Sequence, residues 1–463
     1  MSEHTTSAGW VESGLGAPAR EAGRGVVRGA GWAAIAVGAV VLAGSTAAML
    51  RGVEPFATWY YPFAWYATLL VLDGVVVLSR GQRGRGGEGL FFLLDRPAYL
   101  ATLLGWSVVA WLFFELVNFR LRNWYYVFLP ESLPYRWIGT ILSFATVFPA
   151  AFLAAEVLAG LGVAESTRWP KLRVTPGLLR GMRVAGGLML VLPLLWPKYF
   201  FPLIWGATTL LVEPYNYRRD PERSLLGDLE RGRPARILRL LLGGAAIGFL
   251  WEMYNIRARG KWIYTVPGLE ELKLFEMPLL GFLGFPPFAL ECYTLWQSLV
   301  LAGVAVPHDG RAFPASRARR WGTAVAAVVF SVLVLRGMEH YTIGSYTPRL
   351  HALEGVPAAA LEHAGYDAFS LARASSPDIA SVVGVEPEEA QAWIEAARLA
   401  VLRGIGSENA NRLKSLGIRS VMDLAAQEPH ELADRLRTVT GARVRDAQVR
   451  LWVRAAQRAT AGG

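Results

Sequence analysis

The chain has a single cysteine, Cys292, in 463 residues, so no intrachain disulfide can brace it and its redox compartment leaves no trace in the sequence. Histidine is nearly as sparse. His4, His308, His340, His351, His363 and His430 form no ligand spacing such as H-x-x-x-H, so neither a metal site nor any cofactor is expected. No G-x-x-x-x-G-K-[ST] and no G-x-S-x-G occurs, which removes P-loop and nucleophile-elbow chemistry. The glycine run GQRGRGGEG at 81–89 is laced with arginine, lacks a phosphate fingerprint and reads as a flexible cytoplasmic loop. Residues 1–30 hold no apolar run, so they read as a disordered tail rather than a cleaved signal peptide.

What is abundant is apolar surface. Hydrophobic residues make up 53% of the chain, 17 residues are tryptophan, and the mean hydropathy is +0.31, values that place most of the chain in a membrane. Nine candidate spans lie near 31–50, 58–78, 99–117, 137–161, 184–195, 199–212, 237–254, 279–304 and 323–335, judged against the roughly 20 apolar residues that a crossing helix needs. The formal net charge of +10 is concentrated in alternate loops, for example Arg168, Lys171 and Arg173, or Arg218, Arg219 and Arg223. By the positive-inside rule these loops and the N-terminus are cytoplasmic, in the plasma (inner) membrane, and anionic lipid is a secondary partner for them.

Two stretches repeat. Residues 115–126 read ELVNFRLRNWYY and residues 252–264 read EMYNIRARGKWIY, giving E-x-x-N-x-R-x-R-x(1,2)-W-x-Y twice. Upstream, YPFAWYATLLVLD from Tyr61 to Asp73 aligns with FPLIWGATTLLVE from Phe201 to Glu213. A membrane unit of roughly 140 residues is duplicated in tandem, with repeat 1 at 31–165 and repeat 2 at 184–305, followed by a last span and connector at 320–347.

On a continuous helix Glu115, Asn118 and Arg122 share one face, as do Glu252, Asn255 and Arg259. Polar groups near hydrocarbon are costly and face a bundle interior or a wet cavity. Two readings stay open, a functional cavity and a set of clasps between helices. Trp124, Tyr126, Trp262 and Tyr264 fit an aromatic belt better than a ligand-stacking wall. Downstream, LFEMPLLGFLGFPPFALE carries Glu276 and Glu291 among prolines, with FPAAFLAAE, holding Pro149 and Glu156, as its counterpart. Glu156 and Glu291 read as paired intramembrane acids. The candidate catalytic set is Glu115, Asn118, Glu252, Asn255, Glu276 and Glu291, with the asparagines as orienting groups.

Duplicated membrane units with acid-bearing helix ends and W-x-Y signatures resemble the heterodimeric-type carotenoid (lycopene) cyclases. The resemblance would cover residues 31–335 and implies protonation of an isoprenoid polyene without redox change. In place of that family's P-x-E-E acidic pair the chain has FEMP and PPFALE, and each repeat has four spans where three are expected.

Past Pro348 the composition turns to Ala/Glu/Arg-rich amphipathic sequence, and Leu353–Arg398 is echoed by Leu402–Gln457. L-R-G-I-G, then L-G-I and V-x-D-L-A, resembles the helix-hairpin-helix repeat, here over 350–460. Leu402, Leu413, Leu416, Ile418, Val421 and Leu424 would form its small core, with Trp393 and Trp452 closing the last helix of each copy. The resemblance implies a phosphate site at Gly404, Gly406 and Lys414, although the first hairpin has Pro357 in place of its second glycine. Binding of a protein partner through this domain is the favoured use and nucleic acid the less favoured one. With nine spans the domain lies outside; an even count returns it to the cytoplasm.

The expected fold is therefore an all-α polytopic membrane protein with a small helical C-terminal domain. Its function reads as acid-catalysed chemistry on an isoprenoid or lipid-like substrate, with a transporter or scaffold as the alternative.

Overall fold

In hydrocarbon a backbone has no partner but itself, so long apolar runs close their hydrogen bonds locally as helices. The computed structural model describes residues 17–82, 91–266 and 272–461, leaving most of the 81–89 glycine run outside the described residues. The membrane portion comprises α1 (Ala17–Leu50), α2 (Tyr60–Gln82), α3 (Pro97–Leu121), β1 (Trp124–Val127), α4 (Leu133–Ala145) and α5 (Val147–Gly160). It continues with α6 (Pro176–Leu195), α7 (Pro197–Phe200), α8 (Ile204–Arg219), α9 (Leu225–Glu230), α10 (Ala235–Arg257) and β2 (Lys261–Tyr264). A small hairpin, β3 (Lys273–Leu274) and β4 (Met277–Pro278), precedes α11 (Phe285–Leu301) and α12 (Arg317–Tyr341). The chain is all-α apart from two two-stranded sheets among the described residues.

Seven helices among the described residues are long and apolar enough to cross a membrane. All nine expected apolar segments are helical, but α8 and α11, with 16 and 17 residues, are not among the seven long spans. Both lie in the second half and both begin in irregular turns, at Phe201–Leu203 and Leu279–Gly284. Two spans are longer than expected, Pro176–Leu195 and Arg317–Tyr341, because helices continue through flanking arginines whose long stems keep the charge outside the apolar layer. The tail expected to reach residue 30 is helical from Ala17 onward, since the span propagates its helix into an alanine-rich flank. The segment 137–161 is two helices, broken at Thr146, whose hydroxyl donates to Ser143 O (2.7 Å).

Similar contacts occur in the two halves of the membrane portion. Gly38 of α1 lies so close to α2 that a Cβ there would sit 2.7 Å from Ala67 O and from Val71. Gly186 of α6 meets Ala207 O and Leu211 of α8 in the same way, at 2.9 Å for each. Small residues of this kind let backbones approach where lipid offers no hydrophobic drive. Asp73 accepts from the amides of Phe92 and Leu93 (2.7 and 3.1 Å), and Glu213 from Leu226 N and Ser224 Oγ (3.0 and 2.5 Å). Each acid thus holds the chain that leads into the next long helix.

Ion pairs mark one end of the bundle: Arg80 with Glu156 (2.7 Å) and Arg223 with Asp309 (2.5 Å). The other end carries the two sheets and the C-terminal domain, eight short helices between Ala358 and Ala461. In that domain Leu413, Ile418, Leu424, Trp393 and Trp452 are buried, while Leu402, Leu416 and Val421 pack partly buried against them.

The C-terminal domain does not hang free. Residues 342–347 run beside β1 with parallel bridges Tyr126 to Ile343 and Leu129 to Tyr346, and Gly344 N donates to Tyr126 O (2.7 Å). Leu451 packs with Tyr125, Val127, Phe128 and Ile263. At the hairpin, a Cβ on Gly404 would meet the Val127 side chain at 2.5 Å, and Arg403 grips Glu276 with both nitrogens (2.7 and 2.6 Å). Lys261 supplies a second cation to Glu276 at 3.1 Å. Burial of Glu276 opposes its ionisation, but Lys261 and Arg403 outweigh it and hold the carboxyl below the usual range.

Stripping one cation from this carboxylate should therefore loosen docking. Removing one partner of a buried pair costs about 3–5 kcal/mol, so Arg403→Met should speed proteolysis of the connector in detergent, and adding Glu276→Gln should slow it again. Equal cleavage of Arg403→Met and wild type would show that the pair carries no docking. The folded carboxyl titrates below its unfolded value of about 4.3. Its contribution is present above that value and is lost as pH falls through the folded one, so the connector should stay protected at pH 5 and open only in stronger acid.

Candidate functional site

Helices α3 and α10 end side by side, and what stops them builds the site. Arg122 takes a left-handed conformation (φ 56°) after α3, with its amide on Asn118 O (2.8 Å). Asn118 Oδ1 then accepts from Asn123 N (2.8 Å) and Trp124 N (3.4 Å), while Nδ2 donates to Trp124 O (3.0 Å). Asn255 repeats this, accepting from Trp262 N and donating to Trp262 O, both at 3.0 Å. Each asparagine binds both backbone groups of its signature tryptophan, Trp124 at the start of β1 and Trp262 one residue into β2. The expected role of Asn118 and Asn255 as catalytic orienting groups is thereby corrected, because their amides are occupied in bracing a turn. The shared helical face expected for Arg122 and Arg259 is lost too, since both lie beyond their helices.

The two strands pair antiparallel with Trp124 opposite Tyr264 and Tyr126 opposite Trp262. This register brings both W-x-Y signatures to one place. Glu115 Oε1 accepts from Trp111 Nε1 (3.1 Å), Trp124 Nε1 (2.9 Å) and Tyr126 Oη (2.5 Å). Glu252 Oε1 accepts from Tyr264 Oη (2.8 Å). Both glutamates are fully buried, and in each the second oxygen, Oε2, has no partner among the described residues.

In front of these pairs lies a cavity of about 450 Å³ walled by Trp59, Tyr61, Trp111, Trp124, Tyr126, Trp205, Trp251, Trp262, Tyr264 and Phe288. All four signature aromatics line the cavity, and Trp124, Tyr126 and Tyr264 donate to its carboxylates, so the aromatic-belt expectation is corrected. Their polar atoms are used inside the bundle rather than at the lipid headgroups. Edge-to-face contacts such as Tyr61 with Trp262 (5.1 Å) and Trp111 with Phe288 (5.7 Å) lock the wall.

The other expected acids stand elsewhere. Glu291 is buried behind Trp205, accepting from Thr208 N and Oγ1 (3.0 and 2.8 Å) where α8 is kinked at Trp205 and Gly206. It holds that kink and does not line the cavity. Glu276 is the anchor of the C-terminal domain. Glu156 is half-exposed on Arg80, and it is not the equivalent of Glu291. Ser107 bonds Phe144 O and Phe148 N, and at the matching place Gly244 faces Phe285 O and Ala289. That register sets Gln297 against Glu156 and Ala150 against Glu291.

Arg259 joins the halves to the tail, pairing with Glu54 (3.3 Å) and Asp367 (3.2 Å) beneath the Phe369 ring (4.0 Å). The expected phosphate site at Gly404, Gly406 and Lys414 is also corrected. The hairpin is covered by Val127 and Ser345 of the chain itself, and Lys414 Nζ donates to Glu354 O (2.7 Å). Sequence reasoning missed Trp59, Tyr61, Trp205, Trp251 and Lys261. Trp205 was visible in the aligned FPLIWGATTLLVE, and Lys261 in the longer spacer of the second signature.

Asn118→Ala and Asn255→Ala should each cost about 1–3 kcal/mol, the penalty of leaving buried backbone groups unpaired. Isosteric Glu115→Gln should melt near wild type, both measured by heating in detergent followed by size exclusion. Asparagine variants as stable as wild type would remove the bracing role. Among known families, one described as a domain of unknown function (DUF4332) matches residues 370–459. No curated protein matches the chain, and no solved structure matches it.

Proposed function

We propose that this chain binds an isoprenoid or other lipid-like molecule in the aromatic cavity and acts on it by acid catalysis. The observation that carries this is the convergence of Glu115–Tyr126 and Glu252–Tyr264 on one apolar cavity. Clasps between helices would sit apart, each closed by its own neighbours; these two pairs share a chamber, and each keeps a buried carboxyl oxygen unpartnered. Tyr126 and Tyr264 are the groups that touch the cavity. A proton passed from either hydroxyl to an alkene carbon is replaced from the carboxyl behind it. Another proton leaves a neighbouring carbon and returns to the site, so the product is an isomer and no redox partner is required. Positive charge developing on the substrate lies against tryptophan faces, which attract it.

This reading takes the two halves as a tandem duplication about a pseudo-two-fold axis through β1 and β2. It takes the tail as a helix-hairpin-helix pair whose second hairpin engages the chain's own membrane unit in place of nucleic acid. A transporter or scaffold is the second reading. Its support is the kink at Trp205 and Gly206 and the short α8 and α11, which resemble the broken helices that line transport sites.

Two experiments test this. Wild type reconstituted with a lipid extract in D2O should place deuterium on one isoprenoid species, and Glu115→Gln with Glu252→Gln should abolish the label while leaving the melting temperature unchanged. Retention of an apolar ligand without any deuterium would favour the transporter. Positive charge gathers at the Arg80 and Arg223 end, so that end is cytoplasmic in this reading. Reporter fusions after Arg311 should report inside and fusions at Gly463 outside; a cytoplasmic Gly463 overturns the orientation.

A further inference from the structure

Resting on the reading that the cavity holds an apolar ligand, we propose that the break in α8 is a lateral gate. Trp205 closes the lipid side of the chamber, Gly206 is the hinge, and Glu291 is the latch. The gate serves the ligand equally whether it is then converted or carried.

The two halves differ here at matching positions: Trp205 aligns with Trp65, Gly206 with Tyr66 and Thr208 with Thr68. In the first half α2 runs unbroken through these residues, Thr68 Oγ1 donates to Ala64 O (2.8 Å) of the same helix, and Trp65 is 1% exposed. In the second half Trp205 and Gly206 leave the helical conformation, Gly206 at φ 125°, which glycine alone adopts without strain. Thr208 N would bond Ile204 O in a continuous helix. It donates instead to Glu291 Oε1 (3.0 Å), as does Thr208 Oγ1 (2.8 Å). An amide freed inside a span is tolerated where protein supplies its partner, and Glu291 is that partner. By the register of Ser107 and Gly244, the first half has Ala150 in its place. The glycine that permits the break and the acid that satisfies it therefore occur together, in the same half.

The break turns Trp205 into the chamber wall, where it is half-buried and its ring lies 5.4 Å from Phe114 and 5.6 Å from Phe288. It also reaches the irregular segment Leu279–Gly284, since a Cβ on Gly284 would sit 3.3 Å from Trp205 Cδ1. The same two segments are the part of the wall that is also outer surface. Pro202 on one and Leu280 and Leu283 on the other line the cavity and are exposed, Leu283 by 70%. In a bilayer these side chains face hydrocarbon, so a chain passing between them enters from lipid without meeting water. Rotation at Gly206 carries Trp205 away from Gly284 and opens that path; the bonds from Thr208 to Glu291 hold it shut.

The test is release of tritiated farnesol, a neutral isoprenoid probe, from full-length protein in nanodiscs into excess empty liposomes, with equilibrium binding measured alongside. Trp205→Cys with Gly284→Cys joins the two sides of the gate, because a Cβ on Gly284 lies 3.5 Å from the Cγ position of Trp205, where the new sulfur sits. Oxidised, this variant should release the probe about tenfold more slowly than after reduction with dithiothreitol, while either single variant should ignore the reductant. Glu291→Ala should speed release about tenfold, and Glu291→Gln, which keeps an acceptor for Thr208, should stay near wild type. The redox arm stands even where Glu291→Ala does not fold. Equal release by the oxidised and reduced double variant, or a cross-link that fails to form, would overturn the gate and leave the cavity reading intact. Release from a folded Glu291→Ala at the wild-type rate would remove the latch. Absence of saturable farnesol binding by wild type would overturn both the gate and the cavity reading.

Discussion

The pairing of β1 with β2 is the contact on which the rest of the molecule depends. Four residues from each half meet antiparallel, and this register alone places Trp124, Tyr126, Trp262 and Tyr264 around one chamber. A shift by one residue would turn all four side chains to the opposite face. The register is fixed from behind, since Asn118 and Asn255 each tie a helix end to the tryptophan of its strand. It is fixed in front by residues 342–347 of the connector, which add a third segment beside β1. Thr265 closes it laterally, with its amide on Asn123 O and its hydroxyl on Arg122 O.

From that junction the position of the C-terminal domain follows. A short sheet at a bundle end leaves edge groups that need covering, and the connector and hairpin cover them. Gly404 is required there because any side chain would displace Val127, and Arg403, itself at positive φ (45°), is thereby aimed at Glu276. Since Met277 and Pro278 line the cavity immediately after Glu276, the grip of Arg403 is also a grip on the cavity wall. The tail is built into the chamber as much as it is attached to the membrane unit.

Much of this was legible in the sequence, and the failures have physical causes. Apolar runs gave the helices because lipid leaves no alternative, and the doubled E-x-x-N gave Glu115 and Glu252 as buried acids. The roles of Asn118 and Asn255 were missed because a helical wheel assumes that the helix continues to Arg122, and a single left-handed residue ends it. Glu276 looked catalytic because its partner Arg403 lies 127 positions away, a separation that no local pattern reveals. The equivalence of Glu156 and Glu291 rested on a run of small apolar residues, where register is weakly marked; the contacts of Ser107 and Gly244 set it differently. Trp59, just before α2, and Trp251 on α10 line the cavity but carry no motif of their own.

The asymmetry between the halves is the feature with most bearing on function. In the first half α4 and α5 are two helices that meet at Thr146, and Glu115 is held by three donors. In the second half the matching segments are an irregular turn and a shortened helix, and one donor holds Glu252. The second signature also has one extra residue before its tryptophan, which places Lys261 at the cavity. A duplicated framework with equal halves would present two identical acids to a symmetric chamber. Here Glu115 is held by three donors, while Glu252 has one and stands opposite a kinked α8. On the proposed reading, a substrate would meet two unequal acid–tyrosine pairs, and that inequality would set which of its carbons is protonated.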